Sequence, residues 1–303
     1  MTERAPLVSV GVPVYNGERY LAGALDALAA QDLEDFEVVI CDNASTDATA
    51  EIAREYAARD GRFSYHRNQR NLGLSGNFNR TFELSRGRYF KWAAHDDWHP
   101  PQALRLCAEA LEGDPSAVLC GSAVAIMDDD GEVFDRWHPT ADLRSPNPRV
   151  RLHRLIWTLD ETHPLFALMR SDALRRTPGY RPYVAADRVL LSQLVLMGPF
   201  WQLPDVLHYY RAARMRPGAS WAPDHPSQAA ILDPNRTRLP SRTWRLCYEH
   251  LRLVSRARLA PQDKLLAAAD VLGRFGVRDS RRLAAEAYHS GRILAARALS
   301  RAT

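Results

Sequence analysis

The chain has 303 residues, 46% hydrophobic and 25% charged, with a formal net charge of +4. That length can bury a full core, and the balance excludes a largely disordered chain. No apolar run approaches the roughly 18 residues that span a bilayer, and no signal-peptide-like apolar segment follows Met1-Thr2-Glu3-Arg4. The four cysteines (Cys41, Cys107, Cys120, Cys247) show neither metal-ligand nor disulfide spacing. The expectation is a cytoplasmic protein with reduced thiols.

In chain order, Leu7 to Val14 is predicted to be a buried strand, a β-branched run that stops near Pro13 and Tyr15-Asn16-Gly17. Tyr20, Leu21, Ala24, Leu25 and Leu28 recur at helical spacing. A second strand, Phe36 to Cys41, ends at Asp42-Asn43-Ala44-Ser45-Thr46-Asp47, which offers N-cap residues to a helix over Ala48 to Arg59. A third strand is expected at Phe63 to His66, then a turn-rich stretch from Asn68 to Gly76 and a helix over Asn77 to Ser85. A fourth strand, Arg88 to Ala93, runs into His95-Asp96-Asp97. Alternation of this kind predicts a parallel, doubly wound α/β sheet whose ligands bind at the strand ends, where the polar clusters fall.

Beyond it, strands are expected at Ala117 to Ile126, Phe166 to Met169 and Trp201 to Arg211, with a hairpin turn at Asp128-Asp129-Asp130-Gly131. Helices are expected at Gln102 to Leu111, Val150 to Leu159 and Asp187 to Met197, and purely helical periodicity from about Thr243. Pro217 to Pro240 reads as a linker. From Ser241 onward 13 Lys and Arg stand against 5 Asp and Glu, so a basic extension follows a mildly acidic body. Such an extension suits a solvated helical face, an anionic membrane bearing the acceptor, or packing on the rest of the chain or on a second subunit. Its arginines have few aromatics among them, which argues against nucleic acid.

Four clusters carry chemistry. The loop Pro13-Val14-Tyr15-Asn16-Gly17-Glu18 presents amides and a helix N-terminus to an anion or a base edge. Neither GxGxxG nor GxxxxGK[ST] is present, which disfavours a dinucleotide dehydrogenase and a P-loop enzyme. Asp42 stands where a carboxylate accepts from a ribose or a pyrimidine N–H. The adjacent carboxylates of Asp96 and Asp97 need a neutraliser, either turn amides or a divalent cation that bridges to a diphosphate. Asp187, at a helix start, is either an N-cap or a functional acid.

Together these clusters resemble family 2 glycosyltransferases, the inverting enzymes of GT-A fold. The resemblance covers about residues 6 to 221 and rests on Val12 to Gly17, Cys41 to Asp47, Arg70-Asn71-Leu72-Gly73, His95-Asp96-Asp97-Trp98 and Asp187, in that order. It implies residues 1–222 as a nucleotide-sugar-binding and catalytic domain and 223–303 as a linker with a basic helical extension. It further implies that Pro13, Tyr15, Asn16, Glu18, Asp42, Asn43, Arg70, Asn71, His95 and Asp96 hold the nucleotide sugar, a UDP- or dTDP-sugar above others. Asp96 would bind Mg2+ or Mn2+, Asp187 would serve as catalytic base, and His163 to Ala167 would shape the donor-sugar and acceptor side. The chain departs from the family at two points. Ala94 fills the first position of the family's DxD motif, and no His follows Tyr210-Arg211, where Arg214 or Arg216 would have to neutralise the diphosphate. The acceptor would be a hydroxyl on a glycan, a lipid-linked molecule or a small molecule. The rival readings are a non-catalytic nucleotide-sugar- or glycan-binding protein and a nucleotide-sugar pyrophosphorylase, though Glu18-Arg19 lacks the Gly-rich basic loop the latter needs.

Overall fold

The computed structural model describes residues 4–158, 163–212 and 241–288. Its first part alternates strand and helix: β1 (Val8–Val14), α1 (Leu21–Ala29), β2 (Phe36–Asp42), α2 (Thr49–Arg59), β3 (Phe63–Arg67), α3 (Gly73–Leu84), β4 (Tyr89–Trp92) and α4 (Ala103–Gly113). Then come β5 (Leu119–Met127), β6 (Val133–Trp137), α5 (Pro148–Thr158), β7 (Leu168–Arg170), α6 (Ser171–Arg175), α7 (Ala186–Met197) and β8 (Phe200–Arg211). The described part ends with α8 (Arg242–Arg256), α9 (Pro261–Gly273) and a helix over 280–288.

The strands form one sheet in the order β3-β2-β1-β4-β7-β5-β6, with β8 also on β5. The first four are parallel, so the loops after β1, β2, β3 and β4 leave the same end. The parallel order is interrupted by β7, which runs antiparallel to both β4 and β5, and β6 returns as a hairpin on β5. The sheet is thus mostly parallel, as the family resemblance implies, with β6 and β7 as its antiparallel members.

All seven residues of β1 are buried, as expected for a strand covered on both faces. In β4 the pleat divides the residues between two cores. Phe90 and Trp92 face α5, α7 and the C-terminal helices, whereas Tyr89 and Ala93 join Val10, Leu25 and Leu104 on the opposite face. A Cβ at Gly11 would lie 2.5 Å from Thr81 Oγ1 and 2.8 Å from Phe90 Cζ, so the missing side chain lets α3 sit directly on the central strand.

Two local expectations shift. The turn-rich stretch before Asn77 already contains the first turn of α3, which begins at Gly73, whose N donates to Asn71 Oδ1 at 2.7 Å. His163–Phe166 is a 3-10 turn, and the strand lies just beyond it at Leu168–Arg170. The C-terminal helices are integral: Leu246, Val254, Ala267, Val271 and Phe275 belong to the same core as α5 and α7. Polar contacts join the surfaces as well: Arg149 pairs with Asp263 and Asp270, and His153 Nδ1 lies 2.9 Å from Asp270. The described helices of the basic extension thus pack on the rest of the chain. The stretch Pro217 to Pro240 lies outside the described residues.

Candidate active site

The loops after β1 and β2 are stitched to each other. Asn16 donates its amide to Ser45 Oγ (2.9 Å), and its Oδ1 accepts from Thr46 N (2.9 Å). Gly17 N reaches Thr49 Oγ1 (2.8 Å), Glu18 N reaches Asp47 Oδ2 (3.1 Å), and Glu18 Oε2 accepts from Ala48 N (3.0 Å) at the start of α2. Two turn residues, Asn16 (φ 51°) and Ala44 (φ 64°), adopt the left-handed conformation. Non-glycine residues there cost about 1 kcal/mol or more, and such strain gathers at functional loops. Asn16 and Glu18 thus join the two loops although both are exposed. Pro13 is buried within β1 beside Cys41, and Tyr15 is left 47% exposed.

Asp42 is the anchor of that platform. It is fully buried: Oδ1 accepts from Ser45 N (2.7 Å), and Oδ2 accepts from Tyr65 Oη (2.8 Å) and Arg67 Nη1 (2.6 Å). Tyr65 and Arg67 alternate on β3, and Arg67 is the register partner of Asp42. Three of the about four acceptor positions of this carboxylate are thus taken within the chain, one on Oδ1 and two on Oδ2. Burial by itself raises this carboxyl's pKa, yet the hydrogen bonds from Ser45 and Tyr65 and the Arg67 charge outweigh it and the net shift is downward. A depressed folded-state pKa adds stability above the unfolded carboxylate value, and that stability is lost as pH falls through the folded value. Arg67→Ala is accordingly expected to move the acid-unfolding midpoint to higher pH, read by circular dichroism.

Asn43 is likewise committed. Its Nδ2 donates to Asn71 Oδ1 (2.9 Å), and its Oδ1 accepts from Leu72 N (2.8 Å) and Asn68 Nδ2 (3.1 Å). Asn71 therefore orders the start of α3 instead of projecting into solvent. Arg70 beside it is exposed and has no carboxylate partner among the described residues.

The pair after β4 separates into two roles. Asp97 is buried: Oδ2 accepts from His208 Nε2 at 2.7 Å and Oδ1 from Arg211 N at 3.0 Å. His208 stacks on His99 with ring centroids 5.1 Å apart. Lys91 Nζ, inside the same region, donates to Phe166 O, and burial pulls its ammonium down to about 8 against the attraction of Cys107 and Asp97. Asp97 is thus held by hydrogen bonds from β8, whereas Asp96 is only half-buried and is the one of the pair open to a ligand. Burial first, then the Asp97 charge, raises the Asp96 carboxyl pKa, while His95 and Arg211 oppose that. A carboxylate so placed gains from a cation. Among the described residues no group of three or more His, Cys, Asp or Glu could hold a metal by itself. Asp96 therefore fits the mode in which one carboxylate and substrate phosphates share the ion.

His95 lies against the first loop, since a Cβ at Gly17 would come within 2.6 Å of its Cδ2. Arg211 closes the other side: Nε donates to Asp96 O (3.0 Å), Nη1 to Asp128 O (2.5 Å), and the guanidinium lies 4.5 Å from the Tyr20 ring centroid. His163 is buried against Trp137 and Tyr210, close to His208.

Asp187 lies in the first turn of α7, just after Ala185 with φ 61°. The segment before it is fastened to α3 by Ser75 Oγ to Arg181 O (3.1 Å), Asn79 Nδ2 to Tyr180 O (2.9 Å) and Tyr180 N to Asn79 Oδ1 (2.8 Å). Phe78 of α3 meets both Tyr180 and Trp92 of β4. Through α3, Asp187 is thus coupled to the loops that carry Asn71 and Asp96. Arg242, at the start of α8, lies within the electrostatic reach of Asp187.

Sequence reasoning missed Tyr65, Arg67 and His208. The only available signals were the period-2 placement of Tyr65 and Arg67 on β3 and the Asp42–Arg67 register, which needs the pairing to be known. Arg214 and Arg216 lie outside the described residues.

Parallel strands with donor-type loops at one end, extended by a mixed edge, define a protein of the GT-A class. The profile of Glycosyl transferase family 2 matches residues 9–177, and the chain belongs to that family. EpsH of Bacillus subtilis is 34% identical over 130 residues, 43% of this chain and 37% of EpsH. The chondroitin synthase of Escherichia coli is 32% identical over 208 residues, 68% of this chain and 29% of that protein. The chain therefore spans well under half the length of these two relatives. In structure it is similar to S. aureus TarS 1-349 in complex with UDP, with TM-score 0.63 at 20% identity, over 89% of this chain and 71% of that one. The Pyrobaculum calidifontis mannosyltransferase PcManGT, in complex with GDP-Man and Mn2+, gives TM-score 0.52 at 17% identity, over 96% of this chain and 81% of that one. At these identities the likeness concerns the fold. Among the described residues no helix is long and apolar enough to cross a membrane.

Proposed function

We propose that this chain is an inverting glycosyltransferase that moves a sugar from a nucleoside-diphosphate donor, a UDP- or dTDP-sugar, to a hydroxyl acceptor, with residues 1–222 as the catalytic domain. The observation that carries the reading is the fastening of the Asp187 segment to α3, whose own start is built into the donor loops. The open groups at the strand ends are Tyr15, Arg70, His95 and Asp96, which suit a base and a diphosphate. Asn16, Glu18, Asn43, Asn71 and Asp42 hold the loops that present them.

In the proposed reaction Asp187 accepts the proton of the acceptor hydroxyl as its oxygen attacks the anomeric carbon. The bond from that carbon to the diphosphate oxygen breaks, and the nucleoside diphosphate leaves from the opposite face, inverting the configuration. Arg70 meets the charge that grows on the leaving group. A divalent cation bound by Asp96 and the diphosphate oxygens would supply further charge neutralisation there.

A thermal-shift series with UDP, dTDP and GDP, each with and without Mn2+, is expected to raise the melting temperature most with UDP or dTDP, since a ligand bound only by the folded state stabilises it. Slow release of nucleotide from the matching sugar donor without acceptor is expected alongside. Binding without any release of nucleotide would favour the non-catalytic binder, a reading to which Ala94, in place of a carboxylate, lends weight.

A further inference from the structure

A groove of about 710 Å³ runs between α7 and α8 and continues to Leu259. That volume is in the range of small-ligand sites, roughly 300–1,000 Å³. One wall is a single face of α7, where Ala186, Val189, Leu190, Gln193, Leu196 and Met197 recur at helical spacing. Leu253 and Leu259 supply apolar surface from the other wall. The rim is cationic: Arg176, Arg181, Arg252, Arg256 and Arg258 line it and are exposed.

Among the described residues the one acidic lining residue is Glu249, and it is already taken by Arg245 at 2.6 Å and Arg252 at 3.6 Å. Arg176, Arg181, Arg256 and Arg258 have no carboxylate partner among the described residues. Four uncompensated guanidiniums around an apolar floor repel one another, and a phosphate relieves that through charge-assisted, bidentate hydrogen bonds.

None of the loops after β1, β2, β3 or β4 contributes to the groove, so it is separate from the donor loops. Its α7 end begins at Tyr183 and Ala186, the latter next to Asp187. We propose that this groove binds the acceptor, and that the acceptor is amphipathic, with a phosphate ester for the arginine rim and a hydrocarbon chain for the floor. The assignment rests on reading Asp187 as the base, because that places the reacting hydroxyl at this end of α7.

The test is isothermal titration of the full chain with dodecyl phosphate below its micelle concentration, with inorganic phosphate and dodecyl maltoside as partial probes. Dodecyl phosphate is expected to bind one to one, and each partial probe about tenfold or more weaker. The double variant Arg256→Glu, Arg258→Glu is expected to lose about tenfold or more in dodecyl phosphate affinity while keeping the wild-type thermal shift with UDP. Equal binding by that variant overturns the proposal, as does equal binding of inorganic phosphate or of dodecyl maltoside. Retention on phosphatidylglycerol vesicles with no binding of monomeric dodecyl phosphate overturns it too, in favour of a membrane-facing surface. The nucleotide response is measured separately, so loss of the donor reading and loss of this one are told apart.

Discussion

Asp187→Asn is expected to lower turnover by about 10²-fold or more while the thermal shift with the donor nucleotide stays at its wild-type value. A positioned general base contributes about 10²–10⁴-fold, and the amide keeps the shape of the side chain without its proton affinity. The isosteric change also tests the N-cap alternative. Asp187 Oδ1 accepts from Arg188 N at 2.8 Å, and an Asn oxygen can do the same. A purely structural role would therefore leave turnover near wild type. The informative result is the split between kcat and nucleotide affinity, because loss of an interaction made only in the transition state lowers kcat. Turnover close to wild type removes Asp187 from the chemistry.

The neighbours Asp96 and Asp97 are expected to fail in opposite ways. Asp97→Ala removes the buried acceptor of His208 and of the Arg211 amide, leaving both without a partner. Removing one member of such a buried pair costs about 3 kcal/mol or more. In a protein of this size that is a fall in Tm of about 5 °C or more. Asp96 is only partly buried and its carboxylate does not hold the β4 loop to β8. Asp96→Ala is expected to leave Tm within a few degrees of wild type and to weaken donor affinity and any Mn2+ response together. Scanning calorimetry on both variants, followed by nucleotide titration with and without Mn2+, separates the two roles. A large Tm loss in Asp96→Ala with an intact Mn2+ response would reverse the assignment.

Sequence by itself determined the alternation of strands and helices through β4, because burial on both faces of a parallel sheet writes a β-branched run such as Val8–Val14 directly into the chain. It also determined that polar clusters follow β1, β2 and β4, and it singled out Asp187 near a helix start. These are local facts, readable from periodicity and turn chemistry. Only the tertiary structure decided which of two adjacent carboxylates is free, because Asp97 finds His208 and Arg211 more than a hundred residues away. The same holds for Asp42, bonded by Tyr65 and Arg67 through a strand register that no local pattern encodes, and for α8 and α9, whose basic amphipathic pattern suits several partners and whose apolar residues complete the core beside α7. A side chain's residue type states what it can pair with; which partner it meets depends on how the sheet and helices bring distant segments within hydrogen-bond reach.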